Sequence, residues 1–278
     1  MVVALPGRLR LWAACLLFVA GFAGCGVLEL QSAWRDREII IDGDASEWIG
    51  LTTRVEKGNL SVGVVNDDEN IYLCLYTPNT EVAGQVVFGG LTLWLDPDGG
   101  IDRKLGIHCP IGARGPAGKD RDVADRREME EMLAEMLSGA GQEVEILGPD
   151  NEVLDRYTAE TLPGIEVALG YSDRLAYEIK IPLYESEEHP YALRVDWDQK
   201  VGIGFVTPEP GLGSAREGPG VGPGGGMPDL GEPPMGAAGP PGGPGRMRSA
   251  GRMPEPLDLW CRARLATDDA GAGIGSEQ

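Results

Sequence analysis

Apolar and polar residues alternate in short runs along most of this chain, the pattern of strands that bury one face and expose the other. Such runs occupy 38–42, 60–65, 70–76, 90–96, 164–169, 175–181, 192–197 and 201–206, and turn-forming residues separate most of them. Short strands punctuated by turn signals predict a mostly β fold, an antiparallel sandwich or barrel. One stretch departs from the alternation. Between Asp120 and Ser138, Met129, Met132, Leu133, Met136 and Leu137 recur at helical spacing among acids and arginines, which predicts an inserted amphipathic helix at about 120–138. Its methionines are expected to pack on the sheet, since methionine fills irregular core gaps. A last alternating run sets Leu257, Leu259, Cys261, Ala263 and Leu265 against Asp258, Trp260, Arg262 and Arg264.

Glycine and proline dominate 207–254 without a strict Gly-X-Y period, so a collagen helix is excluded and a disordered insertion is expected. A lone strand after such a segment has nothing to pair with. Residues 255–267 are therefore predicted to return as the closing strand of one domain spanning 38–206, with 268–278 as a disordered tail.

The N-terminal end reads differently. Arg8 and Arg10 precede an apolar run of 14 residues, Leu11–Gly24, and then Cys25. This is the order of a signal peptide, and the run is shorter than the roughly 20 residues a membrane-spanning helix needs. The tetrapeptide Phe22-Ala23-Gly24-Cys25 resembles the lipobox of bacterial lipoproteins. That resemblance implies cleavage after residue 24, lipidation of Cys25, and residues 25–37 as lipid anchor and tether of an extracytoplasmic protein. Gly26, rather than aspartate, follows the cysteine and favours the outer membrane.

Charge narrows the partners. The chain carries 44 acidic and 24 basic residues for a formal charge of −20, and loss of residues 1–24 removes two arginines and no acid, leaving −22. Nucleic-acid binding, which needs clustered Lys and Arg, is excluded, and adhesion to anionic headgroups is disfavoured. The membrane partner is reached through the lipid. Cys74, Cys109 and Cys261 remain after the signal and the anchor, with no disulfide or zinc spacing, and are expected as buried thiols.

Four motifs fall in order along the strands: Ile41-Asp42-Gly43 with Glu47-Trp48; Asp67 to Leu73; Leu93-Trp94-Leu95-Asp96; and Tyr177 to Pro182. Together they resemble the family 9 carbohydrate-binding modules and the wider DOMON-like β-sandwich group. The resemblance implies two antiparallel sheets that bind a ligand and catalyse nothing. Trp48 looks structural in that group, and its paired-tryptophan clamp does not map residue by residue onto this chain. Sugar binding needs flat aromatic faces beside hydrogen-bonding side chains. Strand alternation places Trp94 opposite Leu91, Leu93 and Leu95, and Trp260 opposite the leucines of its own strand, so both are candidate stacking platforms, exposed or covered. Trp197 shares a face with Leu193 and Val195 and is expected in the core.

Asp96, Asp98 and Asp102 lie close together around two glycines and form a candidate calcium site, although a hairpin turn with solvated acids explains them equally. With only His108 and His189, and no nucleophile-elbow or metalloprotease context, no enzyme is predicted. Some DOMON-like domains bind haem through methionine with histidine or lysine. His108 with a methionine is the candidate for noncovalent haem, and the c-type attachment motif is absent. Three readings stand: a surface-anchored module for a carbohydrate or similar ligand, a structural or protein-interaction lipoprotein, and a haem-binding redox subunit.

Overall fold

The computed structural model describes residues 27–55, 57–112, 126–137, 143–195, 199–209 and 255–268. The signal segment, Cys25, the start of the predicted helix, Trp197, the Gly/Pro-rich stretch beyond 209 and the tail beyond 268 lie outside the described residues.

The chain opens with β1 (Leu28–Gln31) and β2 (Ala33–Trp34), then a 3-10 turn (Ala45–Trp48), β3 (Thr52–Val55), β4 (Leu60–Asn66) and β5 (Asn70–Thr77). A short helix α1 (Thr80–Gly84) leads to β6 (Thr92–Asp96) and β7 (Leu105–His108), and helix α2 (Arg126–Leu137) precedes β8 (Glu143–Leu147) and β9 (Val153–Thr158). The last four strands are β10 (Glu166–Tyr171), β11 (Leu175–Pro182), β12 (Lys200–Val206) and β13 (Asp258–Arg264). They form a seven-stranded sheet ordered β1-β13-β12-β6-β7-β8-β9 and a six-stranded sheet ordered β10-β11-β5-β4-β2, with β3 also on β4. All pairs are antiparallel except β1 with β13 and β2 with β4. The mostly β character expected from the alternation, and the two-sheet sandwich implied by the resemblance, are the fold the chain adopts.

The two inner faces make one core. Leu93, Leu95, Ile107, Val144, Ile146, Ile203 and Phe205 from one sheet meet Leu60, Val62, Ile71, Leu73, Leu75, Tyr177 and Ile179 from the other. The Tyr177 and Phe205 rings meet edge to face at 6.3 Å. Helix α2 lies against β10 and α1, burying Leu133 and Leu137 with Met129 and Met136 partly buried beside them. Its methionine stripe therefore packs inward. Among the described residues no helix is long and apolar enough to cross a membrane.

Three expectations need correction. Residues 28–34 are not a tether: β1 joins one sheet and β2 the other, and the chain crosses between them at Ser32. The crossing is pinned by the buried Asn66 amide, which accepts from Ser32 Oγ at 2.7 Å and Ala266 N at 2.8 Å and donates to the Ala266 carbonyl at 3.0 Å. Residues 38–42 form no strand. Ile39 and Ile41 pack on Val65, Tyr72 and Cys74 on the outer face of the six-stranded sheet, and the backbone N–H groups of Asp42 and Gly43 go to a side chain instead of a ladder. Residues 192–195 are likewise not a strand. Leu193 and Arg194 donate to the carbonyls of Pro182 and Leu183, and a left-handed backbone at Arg194 (φ 60°) breaks the extended run. Strands β3, β7, β8 and β9 and helix α1 fall outside the alternating runs.

Candidate ligand-binding face

On β13, Leu259, Cys261 and Ala263 point into the core, which turns Asp258, Trp260, Arg262 and Arg264 outward. The neighbouring strand β12 alternates Val201, Ile203 and Phe205 inward with Gly202 and Gly204 outward. Register places Trp260, Gly204, Trp94, Gly106 and Leu147 in one row across five strands. The glycines leave room for the indoles to lie down: a Cβ on Gly204 would stand 2.7 Å from Trp260 Cε2 and Cζ2, and one on Gly106 2.8 Å from Trp94 Cζ3. Each tryptophan thus leans over the glycine of the next strand in the same direction. Trp260 is half-buried.

Trp94 is only 1% exposed, so the structure corrects its candidacy as a free stacking platform. The β6–β7 loop folds back onto the outer face, where the Gly100 carbonyl occupies the space a side chain at Gly202 would need and Arg103 sits 5.6 Å from the Trp94 ring centroid. Asp96 holds that loop. Its Oδ1 accepts from Asp98 N at 3.1 Å and its Oδ2 from Asp102 N at 2.9 Å, and the Lys104 ammonium is 3.3 Å away while also pairing with Asp98. Burial pushes the Asp96 carboxyl up, but these donors outweigh it and hold the group below its usual value.

Asp96 is thus engaged by the donors of its own loop. Asp102 presents its backbone N–H to Asp96, and Lys104 supplies positive charge beside Asp96 and Asp98. Among the described residues no group of three His, Cys, Asp or Glu side chains is placed to hold a metal ion.

A second row runs about 7 Å from the indoles, two residues along each strand. It carries Asp258, Val206, Thr92, His108, Glu145 and Arg156. His108 Nδ1 lies 3.2 Å from Glu145 Oε2, and Arg156 bonds Glu145 Oε1 at 2.8 Å. Burial lowers the His108 pKa, and Glu145 partly offsets this. A Cβ on Gly90 would stand 2.7 Å from His108 Nε2, so that nitrogen also has backbone against it. The apolar recess of about 220 Å³ lined by Pro110, Ile111 and Met136 does not include His108. His108 is thus held in the outer face of the sheet by Glu145.

On the third side of Trp260, nearest β1, Glu29 is surrounded by Lys200, Arg262 and Arg264, with the Lys200 hydrogen bond the strongest influence holding its carboxyl low. A recess of about 550 Å³ lies elsewhere, between residues 159–166 and 184–189, with Tyr184 as its exposed ring and a carboxylate-rich rim.

The motifs that carried the family resemblance serve the fold. Glu178, fully buried on the outer side of β11, accepts from Trp48 Nε1 at 2.6 Å, Gly43 N at 2.8 Å and Asp42 N at 3.2 Å. It thereby clamps the segment before β3 onto the sheet. Asp67 closes the β4–β5 turn, accepting from Asn70 N at 2.8 Å, Glu69 N at 3.0 Å and Tyr72 Oη at 3.1 Å while pairing with Arg35 at 2.7 Å. Cys74, Cys109 and Cys261 are buried thiols outside any disulfide, and burial pushes the last two up to about 12. A glutamate interrupting an apolar strand was the legible sign of the clamp, and alternate glycines in 201–205 the sign of the indole row. Neither shows its partner in sequence.

No protein-family model matches the chain, and no curated protein matches it. Among solved structures it is similar to a family 9 carbohydrate-binding module from Caldicellulosiruptor kristjanssonii, in complex with glucose and in complex with cellotriose. Each comparison has 12% identity and a TM-score of 0.30, and covers 64% of this chain and 77% or 75% of the module.

Proposed function

We propose that this protein is a non-catalytic, lipid-anchored binding protein whose seven-stranded sheet presents Trp260 to a saccharide. The observation that carries the reading is the half-buried indole laid on Gly204, with Asp258 and Arg262 two residues away on either side along the same face. Sugar rings expose C–H surfaces that stack on an aromatic plane and hydroxyls that need donors and acceptors beside it. A ring already held against the sheet loses little rotamer freedom when it binds, so more of the contact energy appears as affinity. Trp94 supports the platform from beneath the folded loop and does not itself contact the ligand.

In a glycan-array screen of the full chain, Trp260→Ala is expected to weaken binding by more than about tenfold, the effect of losing a central aromatic anchor. Its circular dichroism should remain that of the wild type. If no glycan binds, the interaction lipoprotein without a small-molecule site takes its place.

The anchor is proposed on Cys25. Since β1 begins at Leu28, a lipid on Cys25 would lie within about 11 Å of the sheet edge, from the reach of about 3.6 Å per residue. The binding face would stand close to the membrane. Metabolic labelling with an alkyne fatty acid should mark the wild type and not Cys25→Ser; equal labelling of both would sink the anchor.

A further inference from the structure

We infer that the saccharide taken by this face is anionic, bearing a uronate carboxylate or a sulfate ester, and that Arg262 reads its charge. The inference rests on the reading of Trp260 as the platform. Against a formal charge of −20 for the whole chain, the corner of the sheet beside Trp260 has the opposite sign. Arg262, Arg264 and Lys200 there face one carboxylate, Glu29. Glu29 is hydrogen-bonded to Lys200, whereas Arg262 Nη1 stands 3.8 Å from it, beyond hydrogen-bonding distance. Arg262 Nε is buried without any acceptor. That nitrogen is closed to a ligand, but among the described residues the rest of the guanidinium has only the long ion pair to Glu29, and its planar fork matches the paired oxygens of carboxylates and sulfates.

Position gives the same answer as charge. Arg262 follows Trp260 by two residues on one face of β13, a separation of about 7 Å, so a group projecting from a ring stacked on the indole falls within the arginine's reach. Asp258 stands the same distance away on the opposite side and repels an anion there. The face therefore has a polarity: the charged group points toward Arg262 and β1, and the neutral hydroxyls toward Asp258 and Thr92. A side chain two-thirds buried in this way is also partly fixed before binding, with 33% of it open to a ligand.

The test compares polymers that differ only in charge. The full chain is titrated at about 0.15 M salt, where the screening length is about 8 Å, with polygalacturonate, methyl-esterified polygalacturonate, dextran sulfate and dextran. Wild type, Trp260→Ala, Arg262→Gln and Arg262→Lys are run together, beside phosphatidylglycerol vesicles. The expected result is at least about tenfold tighter binding of a charged polymer than of its neutral counterpart, the size of one charge-assisted hydrogen bond. Arg262→Gln should remove that preference, Arg262→Lys should restore part of it, and Trp260→Ala should remove binding altogether. Polygalacturonate alone would identify the uronate, and dextran sulfate alone the sulfate.

Equal binding of charged and neutral polymers by the wild type overturns the charge inference and leaves the platform standing; this comparison needs no variant to fold. Charged-polymer binding that survives Trp260→Ala, or vesicle binding that depends on Arg262 and not on Trp260, overturns both readings, as does the absence of any binding.

Discussion

Trp48→Ala is expected to lower the unfolding free energy by about 3–5 kcal/mol, the range for deleting a large buried aromatic, read from urea midpoints at neutral pH. Trp48 is fully buried, and its ring fills the space that a side chain at Gly63 would take. Its Nε1–H is also the shortest of the three bonds to Glu178. Truncation therefore opens a cavity and removes a donor from a buried carboxyl group in one step. Trp48→Phe separates the two effects, because it keeps most of the volume and loses only the N–H.

The same cluster makes stability depend on pH. Burial pushes the Glu178 carboxyl up to about 7 from its ordinary 4.5, against the pull of the Gly43, Trp48 and Asp42 N–H groups. The folded protein therefore holds this proton more tightly than the unfolded chain does. Its contribution is fully present below pH 4.5, shrinks as the pH rises, and is lost above about pH 7. Between those limits the group's contribution falls by up to roughly 3 kcal/mol. Trp48→Phe should accordingly cost more at about pH 8 than at about pH 5, because the ionised carboxylate depends more on its donors. Glu178→Gln should flatten the slope while lowering stability at acid pH, since an amide NH₂ would face N–H donors. An unchanged slope in Glu178→Gln would show that the cluster does not titrate in this window.

Trp94→Ala should likewise cost about 3–5 kcal/mol, whereas Trp260→Ala should cost less than half of that. The two tryptophans occupy equivalent outward positions in one row of the sheet, yet Trp94 is enclosed between Gly106 and the folded β6–β7 loop while Trp260 keeps part of its surface in solvent. Thermal unfolding of both variants, followed by glycan binding, should place stability mainly with Trp94 and affinity mainly with Trp260. Were Trp260→Ala the more destabilising change, the indole would be a core residue and the platform reading would fail. Gly106→Ala offers a check from the other side of the contact. Its new methyl group would collide with the Trp94 ring and cost about 1–3 kcal/mol through overpacking.

Legibility in the sequence followed how a segment uses its hydrophobic period. Strands β4, β5, β6, β11, β12 and β13 bury alternate residues against the opposite sheet, so the core faces of Leu93, Ile179, Ile203 and Leu259 could be read directly. Strand β9 could not, because most of Val153–Thr158 is exposed on both faces of a sheet edge and no period is imposed on it. The run at 38–42 misled for the opposite reason. Its isoleucines are buried, but by packing on the outside of a finished sheet and not by pairing within one.

The candidate site divides in the same way. Alternation alone determined that Trp94, Asp96, Trp260 and Arg262 turn away from the core, because a strand's side chains must point to opposite faces in succession. Which of them meets solvent was decided only by the tertiary structure. Glycines on neighbouring strands let the indoles lie down, and the loop clipped by Asp96 closes over one indole and not the other. Cross-strand register and loop placement join residues more than 150 positions apart, such as Trp94 and Trp260, and no local pattern of hydrophobic and polar residues encodes such contacts.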